Sequence, residues 1–200
     1  MNFFVIAEAI TWSALVVALL GAAALSVLAY LRPRRAYIWF AAGALAAALL
    51  AAATASEPAQ FGLAPLVTVL GLVIAVFGGS PAAATALDLA MGGTVAPGLH
   101  GGIIVAEKRS ADEEHRGVQS STRREVLRGG LTIGVLERIA SAGAIIAGFP
   151  EALAIVVAVK GVGRFTELEA PEARERFIIG TFASLIWACA AALVVHLAVR

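Results

Sequence analysis

The sequence predicts an all-α membrane protein with about six transmembrane helices and a small cytoplasmic polar segment between the third and the fourth. Hydrophobic residues make up 60% of the 200 residues and charged residues only 14%, and the mean hydropathy is +0.89. A soluble domain is typically about half apolar and a quarter charged, so this chain is too apolar to be one. The charges cluster in short segments between long uncharged runs, which is a pattern of membrane topology and gives no sign of nucleic-acid binding.

Three apolar runs fill the first part of the chain. Phe3–Leu31 predicts a first span, which we interpret as a retained helix because it lacks a basic leader and is too long for a secretory signal. Ala36–Ser56 predicts a second span, whose aromatic residues follow the basic turn Arg32–Arg35 and suit a headgroup boundary. Phe61–Phe77 predicts a third span. We expect it to end at Gly78–Pro81, because Ser followed by Pro is typical of a helix start.

A more polar region follows the third span. Pro81–Met91, with Asp88 as its only charge, predicts a short helix along the membrane surface, because about eleven residues cannot span a bilayer. The β-permissive runs His100–Val105 and Val126–Gly130 predict a small hairpin or interfacial cap. They flank the charged insert Glu107–Glu125, which we interpret as a solvated loop.

The last part of the chain predicts three further spans. These are Gly130–Phe149, Ala152–Leu168 and Phe177–Val199, with a polar bend at Glu169–Arg176 before the last one. The link Phe149–Glu151 is so short that the fourth and fifth helices must be antiparallel neighbours. We therefore predict a three-helix scaffold at residues 1–79, a cytoplasmic or interfacial segment at residues 80–129 and a second three-helix unit at residues 130–200.

The basic residues predict the orientation of the chain. If the Arg32–Arg35 turn is cytoplasmic, the positive-inside rule places nearly all other basic residues of the loops on the same side. These are Lys108, Arg109, Arg116, Arg123, Arg124, Arg128, Arg164, Arg174 and Arg176. Only Arg200 then lies outside, so we expect both termini outside and the polar segment in the cytoplasm.

Charged residues inside the last three apolar helices predict a site. Glu137 and Lys160 lie at similar depths, about 10–12 Å from the cytoplasmic helix ends, and can therefore pair. Lys160, Arg164 and Glu167 share one face of the fifth helix. Charge at such depth is costly and normally faces a partner inside the bundle. The candidate ligand-binding residues are Glu137, Arg138, Lys160, Arg164, Glu167, Glu175, Thr181 and Ser184.

Two interpretations of this cluster stay open. In the first, Glu137 with Lys160, and Arg138 or Arg164 with Glu167 or Glu175, are structural ion pairs that fix helix register or link a partner subunit. In the second, the cations line a cytoplasm-facing cleft that binds or transports an anionic lipid headgroup or small solute. We favour the second, with membrane lipids, an anionic small molecule or another membrane protein as partners.

The same stretch carries a family resemblance. The runs IGVLER, AVKGVGRFTEL and ERFIIGTFASLIWA resemble the C-terminal half of a widespread family of uncharacterised bacterial integral membrane proteins, a domain of unknown function. The resemblance covers residues 126–190. It implies a multi-pass protein of the bacterial inner membrane and no particular activity.

Catalytic, metal and cofactor motifs are missing from the sequence. We find no G-x-S-x-G, H-E-x-x-H, Walker A or dinucleotide fingerprint in its proper context. His100 and His115 lack the converging spacing of a metal site, and the single Cys189 excludes an intrachain disulfide. We expect no metal and no cofactor, and an enzyme acting on lipid is the weakest of the three hypotheses.

Overall fold

The computed structural model describes residues 3–59, 62–92, 103–106, 123–126, 130–163 and 171–200. Within these ranges the chain forms α-helices and one short antiparallel hairpin. In chain order the elements are α1 (Phe3–Leu31), α2 (Arg35–Thr54), α3 (Leu63–Ala90), β1 (Ile103–Ala106), β2 (Arg123–Val126), α4 (Gly130–Ile146), α5 (Ala152–Gly163) and α6 (Pro171–Val199).

Four of these helices are long and apolar enough to cross a membrane, namely α1, α2, α3 and α6. Their backbones satisfy their own hydrogen bonds, as a lipid environment requires. The described parts of α4 and α5 have 17 and 12 residues, or about 25 and 18 Å of helix against a hydrocarbon core of about 30 Å. The helical class is therefore confirmed with four candidate spans. The fourth and fifth of the six predicted spans stay predictions.

Helices α3 and α6 pack closely because glycines on α3 face bulky side chains on α6. A Cβ added at Gly71 would overlap Val195, and one added at Gly78 would overlap the Trp187 indole. The Trp187 Nε1–H donates to the Ile74 carbonyl at 3.0 Å. Small residues at helix contacts let backbones approach closely in membranes, where no hydrophobic effect drives helices together. This interface is the centre of the bundle.

Helix α3 runs without interruption through Pro81, so the predicted break at Gly78–Pro81 and the separate surface helix Pro81–Met91 are wrong. The proline removes one donor to the Phe77 carbonyl, a cost that membrane helices tolerate when their neighbours hold the backbone in place. Here α6 packs against the preceding glycines. The helix therefore carries Asp88 to the end of the bundle, where it accepts a hydrogen bond from Arg35 of α2 at 3.0 Å.

Helix α6 begins earlier than the sequence predicted. Residues 171–176, predicted as part of a polar bend, form the first turns of a helix that continues to Val199. Pro171 suits the first helical position because no intrahelical partner is needed for its missing N–H. The Ala, Glu and Arg residues that follow have high helix propensity. Arg176 lies in these turns, with its Nε 3.2 Å from Sδ of Met91 just beyond α3.

The α4–α5 connection and the hairpin agree better with the predictions from the sequence. Gly148, at a φ of +80°, lets α4 end with the Phe149 N–H bonded to the Ala144 carbonyl at 2.8 Å. The predicted hairpin is confirmed in its backbone, where β1 pairs with β2 in antiparallel register from Ile103 opposite Val126 to Ala106 opposite Arg123. Its predicted tip lies outside the described residues.

The bundle has two ends of different character. One end, here called the basic end, holds the Arg32–Arg35 turn, the end of α3 and the first turns of α6. At the opposite end the Ala59 N–H bonds to the Ala198 carbonyl at 2.8 Å, which joins the α2–α3 link to the last turn of α6. Positions along α6 are therefore measured as distances from the basic end towards Val199.

Candidate functional site

Helix α4 presents polar residues on two faces that meet different neighbours. Gly134, Arg138 and Ser141 are buried in the bundle. Glu137 lies on the adjacent face, against α5. This follows from helix geometry, because residues three or four apart share a face while consecutive residues are separated by about 100°. The predicted cluster is therefore divided into two sites.

The first site surrounds Arg138, whose side chain is only 3% exposed. Its Nη1 donates to Ser184 Oγ of α6 at 3.0 Å, and its Nη2 donates to Ser80 Oγ of α3 at 3.1 Å. The Nε–H is buried with no hydrogen-bond acceptor among the described residues. One side chain thus connects three helices and still has an unused donor. Arg138, Ser80, Ser184 and the two glycines described next are called the Arg138 site.

Two glycines make room for this guanidinium. A Cβ added at Gly79 of α3 would overlap the Arg138 side chain and come within 3.0 Å of Ser184 Oγ. One added at Gly134 of α4 would lie 3.3 Å from Arg138 Nη1. A larger residue at Gly79 would displace the guanidinium from the serine hydroxyls. The site is therefore shaped by the backbone as well as by the side chains that bind.

Arg138 forms no ion pair with the described part of the chain, where no carboxylate lies within 4 Å of its guanidinium. The adjacent Glu137 is paired with Lys160 and acts on Arg138 only as a neighbouring charge. Serine hydroxyls satisfy N–H donors but carry no net charge. A desolvated cation without a counter-ion is costly, so the Arg138 site is electrostatically suited to an anion.

Ser141 adds a second unused polar group on the same face of α4. It lies three residues after Arg138, is fully buried, and its Oγ has no hydrogen-bond partner in the described chain. Buried polar atoms usually have a partner, so each exception calls for an explanation. The guanidinium of Arg138 packs beside Gly134, about 10 Å along the helix from Ser141, so Ser141 is a separate group, unpaired among the described residues.

The second site is the ion pair between Lys160 of α5 and Glu137 of α4, which confirms the predicted pairing. The two side chains are 16% and 11% exposed. Lys160 Nζ also lies 5.6 Å from the centre of the Phe177 ring of α6, within range of a cation–π contact. The pair therefore links α5 to both of its neighbours.

A groove of about 440 Å³ lies between α4 and α5 beside this pair, and is called the α4–α5 groove. Glu137 and Lys160 are the charged residues in its lining. The remaining lining is apolar or glycine and consists of Ile133, Leu136, Ala140, Ile155, Val156, Val159 and Gly163. Helix α5 has no buried residue in its described part, so it lies at the periphery of the bundle.

The other predicted site residues have different positions. Arg164 and Glu167 lie outside the described residues. Glu175 is exposed in the first turns of α6, while Thr181 and Ser184 are buried on one face of that helix. Ser184 accepts a hydrogen bond from Arg138, and its role as lining of a ligand site stays a prediction.

Sequence reasoning missed two members of the Arg138 site, Gly79 and Ser80, and the nearby buried Ser141. Gly79 and Ser80 were assigned to a helix break, although a Gly-Gly-Ser run in an apolar helix also indicates close helix contact. Ser141 was not considered, although its spacing from Arg138 places it on the same face. The Arg35–Asp88 pair at the basic end was missed because Asp88 was assigned to a surface helix.

Comparison with known proteins adds no identification. The chain matches no family model, and no curated protein or solved structure is significantly similar to it.

Proposed function

We propose that this chain is an integral membrane protein that binds an oxyanion, with phosphate as the favoured group, at the Arg138 site. The observation that carries the proposal is the buried guanidinium of Arg138, which has no carboxylate within 4 Å in the described chain and a buried Nε–H without an acceptor. A bound anion would supply both the missing charge and the missing acceptor.

Arginine suits this role better than lysine would. Its planar guanidinium presents donors in a fixed fork that matches two phosphate oxygens, whereas an ammonium acts as a point charge. Ser80 is only partly buried. The most accessible route to the guanidinium therefore passes α3.

The proposal is for binding rather than for conduction. Beyond Ser184 the only side chain of α6 that can carry a charge is His196 near its far end, and α4 has no charged residue after Arg138. A continuous polar path across the membrane would need more polar lining than these helices offer.

The orientation is proposed from the charge distribution. The basic end carries Arg32, Arg34, Arg35, Arg174 and Arg176, whereas Arg200 is the one Lys or Arg that the structure describes at the opposite end. The positive-inside rule then places the basic end in the cytoplasm and both termini outside. With the family resemblance of the last third, this supports a location in a bacterial inner membrane.

The binding test uses purified full-length protein in detergent and native mass spectrometry. Inorganic phosphate is titrated into delipidated protein in one arm, and lipid-derived phosphate retained from the membrane is measured in the other, which distinguishes the two sources. We expect one phosphate group per chain in one arm and its loss in Arg138→Met. Arg138→Lys should weaken retention about tenfold because the fork is lost.

A matched control is Arg35→Met, which removes an exposed arginine at the basic end and should leave phosphate retention unchanged. Equal retention by the wild type and Arg138→Met in both arms would show that Arg138 is a structural connector between three helices and would overturn the proposal.

A further inference from the structure

The α4–α5 groove is a second place where the chain presents charge beside apolar surface. Its walls come from two helices, and among the described residues the charges in its lining are those of Glu137 and Lys160. It lies on a different face of α4 from the Arg138 site, so an argument about it does not depend on the proposed function. Leu136, Ile155 and Val159 are exposed along it, so this part of the surface faces lipid in a membrane.

We place the ion pair at the level where lipid headgroups meet hydrocarbon, because it lies near the basic end of the bundle. Lys160 Nζ is 5.6 Å from the Phe177 ring, and Phe177 directly follows the exposed or partly exposed residues 174–176. At 1.5 Å per residue it lies about 9 Å from the start of α6. Ile155 lies further from that end of α5 than Lys160 does, so the groove extends from the ion pair towards the hydrocarbon core.

The charges in the groove favour a zwitterionic lipid headgroup. The pair offers one ammonium and one carboxylate and is neutral as a whole, so a zwitterionic ligand can bind without adding net charge. A phosphate would contact Lys160, and a primary ammonium would donate to Glu137. A quaternary ammonium has no N–H to donate, and a headgroup with only negative charge would be repelled by Glu137.

The geometry points to a binding site for a phospholipid with a phosphoethanolamine headgroup. One acyl chain lies along the apolar walls of the α4–α5 groove, and the headgroup bridges Lys160 and Glu137. The acyl chain of this ligand matches the apolar walls of the groove, and its two headgroup charges match the ion pair at one end of the groove.

The test uses full-length protein in micelles that contain equimolar phosphatidylethanolamine, phosphatidylcholine and phosphatidylglycerol with identical chains. Native mass spectrometry then counts the lipid retained per chain. We expect one phosphatidylethanolamine, preferred over phosphatidylcholine by about tenfold, the size expected for one charge-assisted hydrogen bond. Glu137→Gln should remove that preference.

Two tryptophan variants keep the test decisive if Glu137→Gln does not fold. Ile155→Trp fills the groove and leaves both charges in place, whereas Val157→Trp places the same ring on α5 away from the groove lining. Only the first should lose the bound lipid, and Arg138→Met should retain it. Equal retention of all three lipids, preference for phosphatidylglycerol, or equal effects of the two tryptophans would overturn the proposal.

Discussion

The charges of the two cations, Lys160 of α5 and Arg138 of α4, are compensated differently. Lys160 meets the carboxylate of Glu137, so both charges are compensated. Arg138 meets the hydroxyls of Ser184 and Ser80, so its Nη donors are satisfied while its charge remains. The difference is that Lys160 lies in an ion pair, whereas Arg138 is held by neutral hydroxyls.

The Glu137–Lys160 pair can be tested by a double-mutant cycle. Glu137→Gln leaves Lys160 without its carboxylate, and removing one partner of a buried pair typically costs about 3–5 kcal/mol. Adding Lys160→Met should recover much of that loss, because no charge is then left unpaired. Unfolding free energies in mixed micelles measure this coupling, and strictly additive effects would contradict the pairing.

The close contact between helices α3 and α6 requires glycine on α3, because a side chain there would overlap the neighbouring helix. Gly71, Gly78 and Gly79 each occupy positions where a Cβ would overlap a neighbouring side chain. The local sequence suggested a helix break at this run, because Gly, Ser and Pro favour turns in isolation. Packing against α4 and α6 overrides that preference, and such packing cannot be read from local propensity.

A glycine comparison tests this interface. Gly78→Ala places a methyl group against the rigid Trp187 ring, and we expect a loss of about 1–3 kcal/mol of unfolding free energy from overpacking. Gly43→Ala in α2 is the matched control, since a Cβ there meets no atom within 4 Å. It should be neutral or gain up to about 1 kcal/mol from helix propensity. Equal effects of the two changes would refute the close α3–α6 contact.

Patterns within single helices were the most predictable part of the structure. The bounds of α1 and the pairing of Glu137 with Lys160 follow from apolar run length and from depth along antiparallel helices. The serine partners of Arg138 do not follow from such patterns. Ser80 and Ser184 are 58 and 46 residues from it in the chain and meet it only once α3, α4 and α6 have packed.

At the scale of the whole molecule, the charge distribution between the two ends predicts how the chain lies in a membrane. In a Cys189→Ala background, Arg34→Cys marks the basic end, and Glu57→Cys marks the opposite end. A reagent that cannot cross the membrane should label Glu57→Cys and spare Arg34→Cys when applied from the periplasm. The reverse pattern would contradict the orientation.

The same labelling experiment tests the six-span prediction at the α4–α5 turn. Glu151 is exposed in this turn, and a charged residue favours water over lipid. If α4 and α5 both cross the membrane, Glu151→Cys should be labelled from the same side as Glu57→Cys. Protection of Glu151→Cys from that side would mean that the α4–α5 hairpin enters the membrane without crossing it.

If an anion neutralises the buried Arg138 cation, phosphate should raise the unfolding free energy of the wild type. Without phosphate, Arg138→Met should lose at most about 1–3 kcal/mol, the cost of leaving the Ser80 and Ser184 hydroxyls without their donor, because no ion pair is broken. With phosphate at about 100 times its dissociation constant, the wild type should gain about 2.7 kcal/mol and the variant nothing. A large loss of stability in phosphate-free Arg138→Met, together with no phosphate effect on the wild type, would contradict the account.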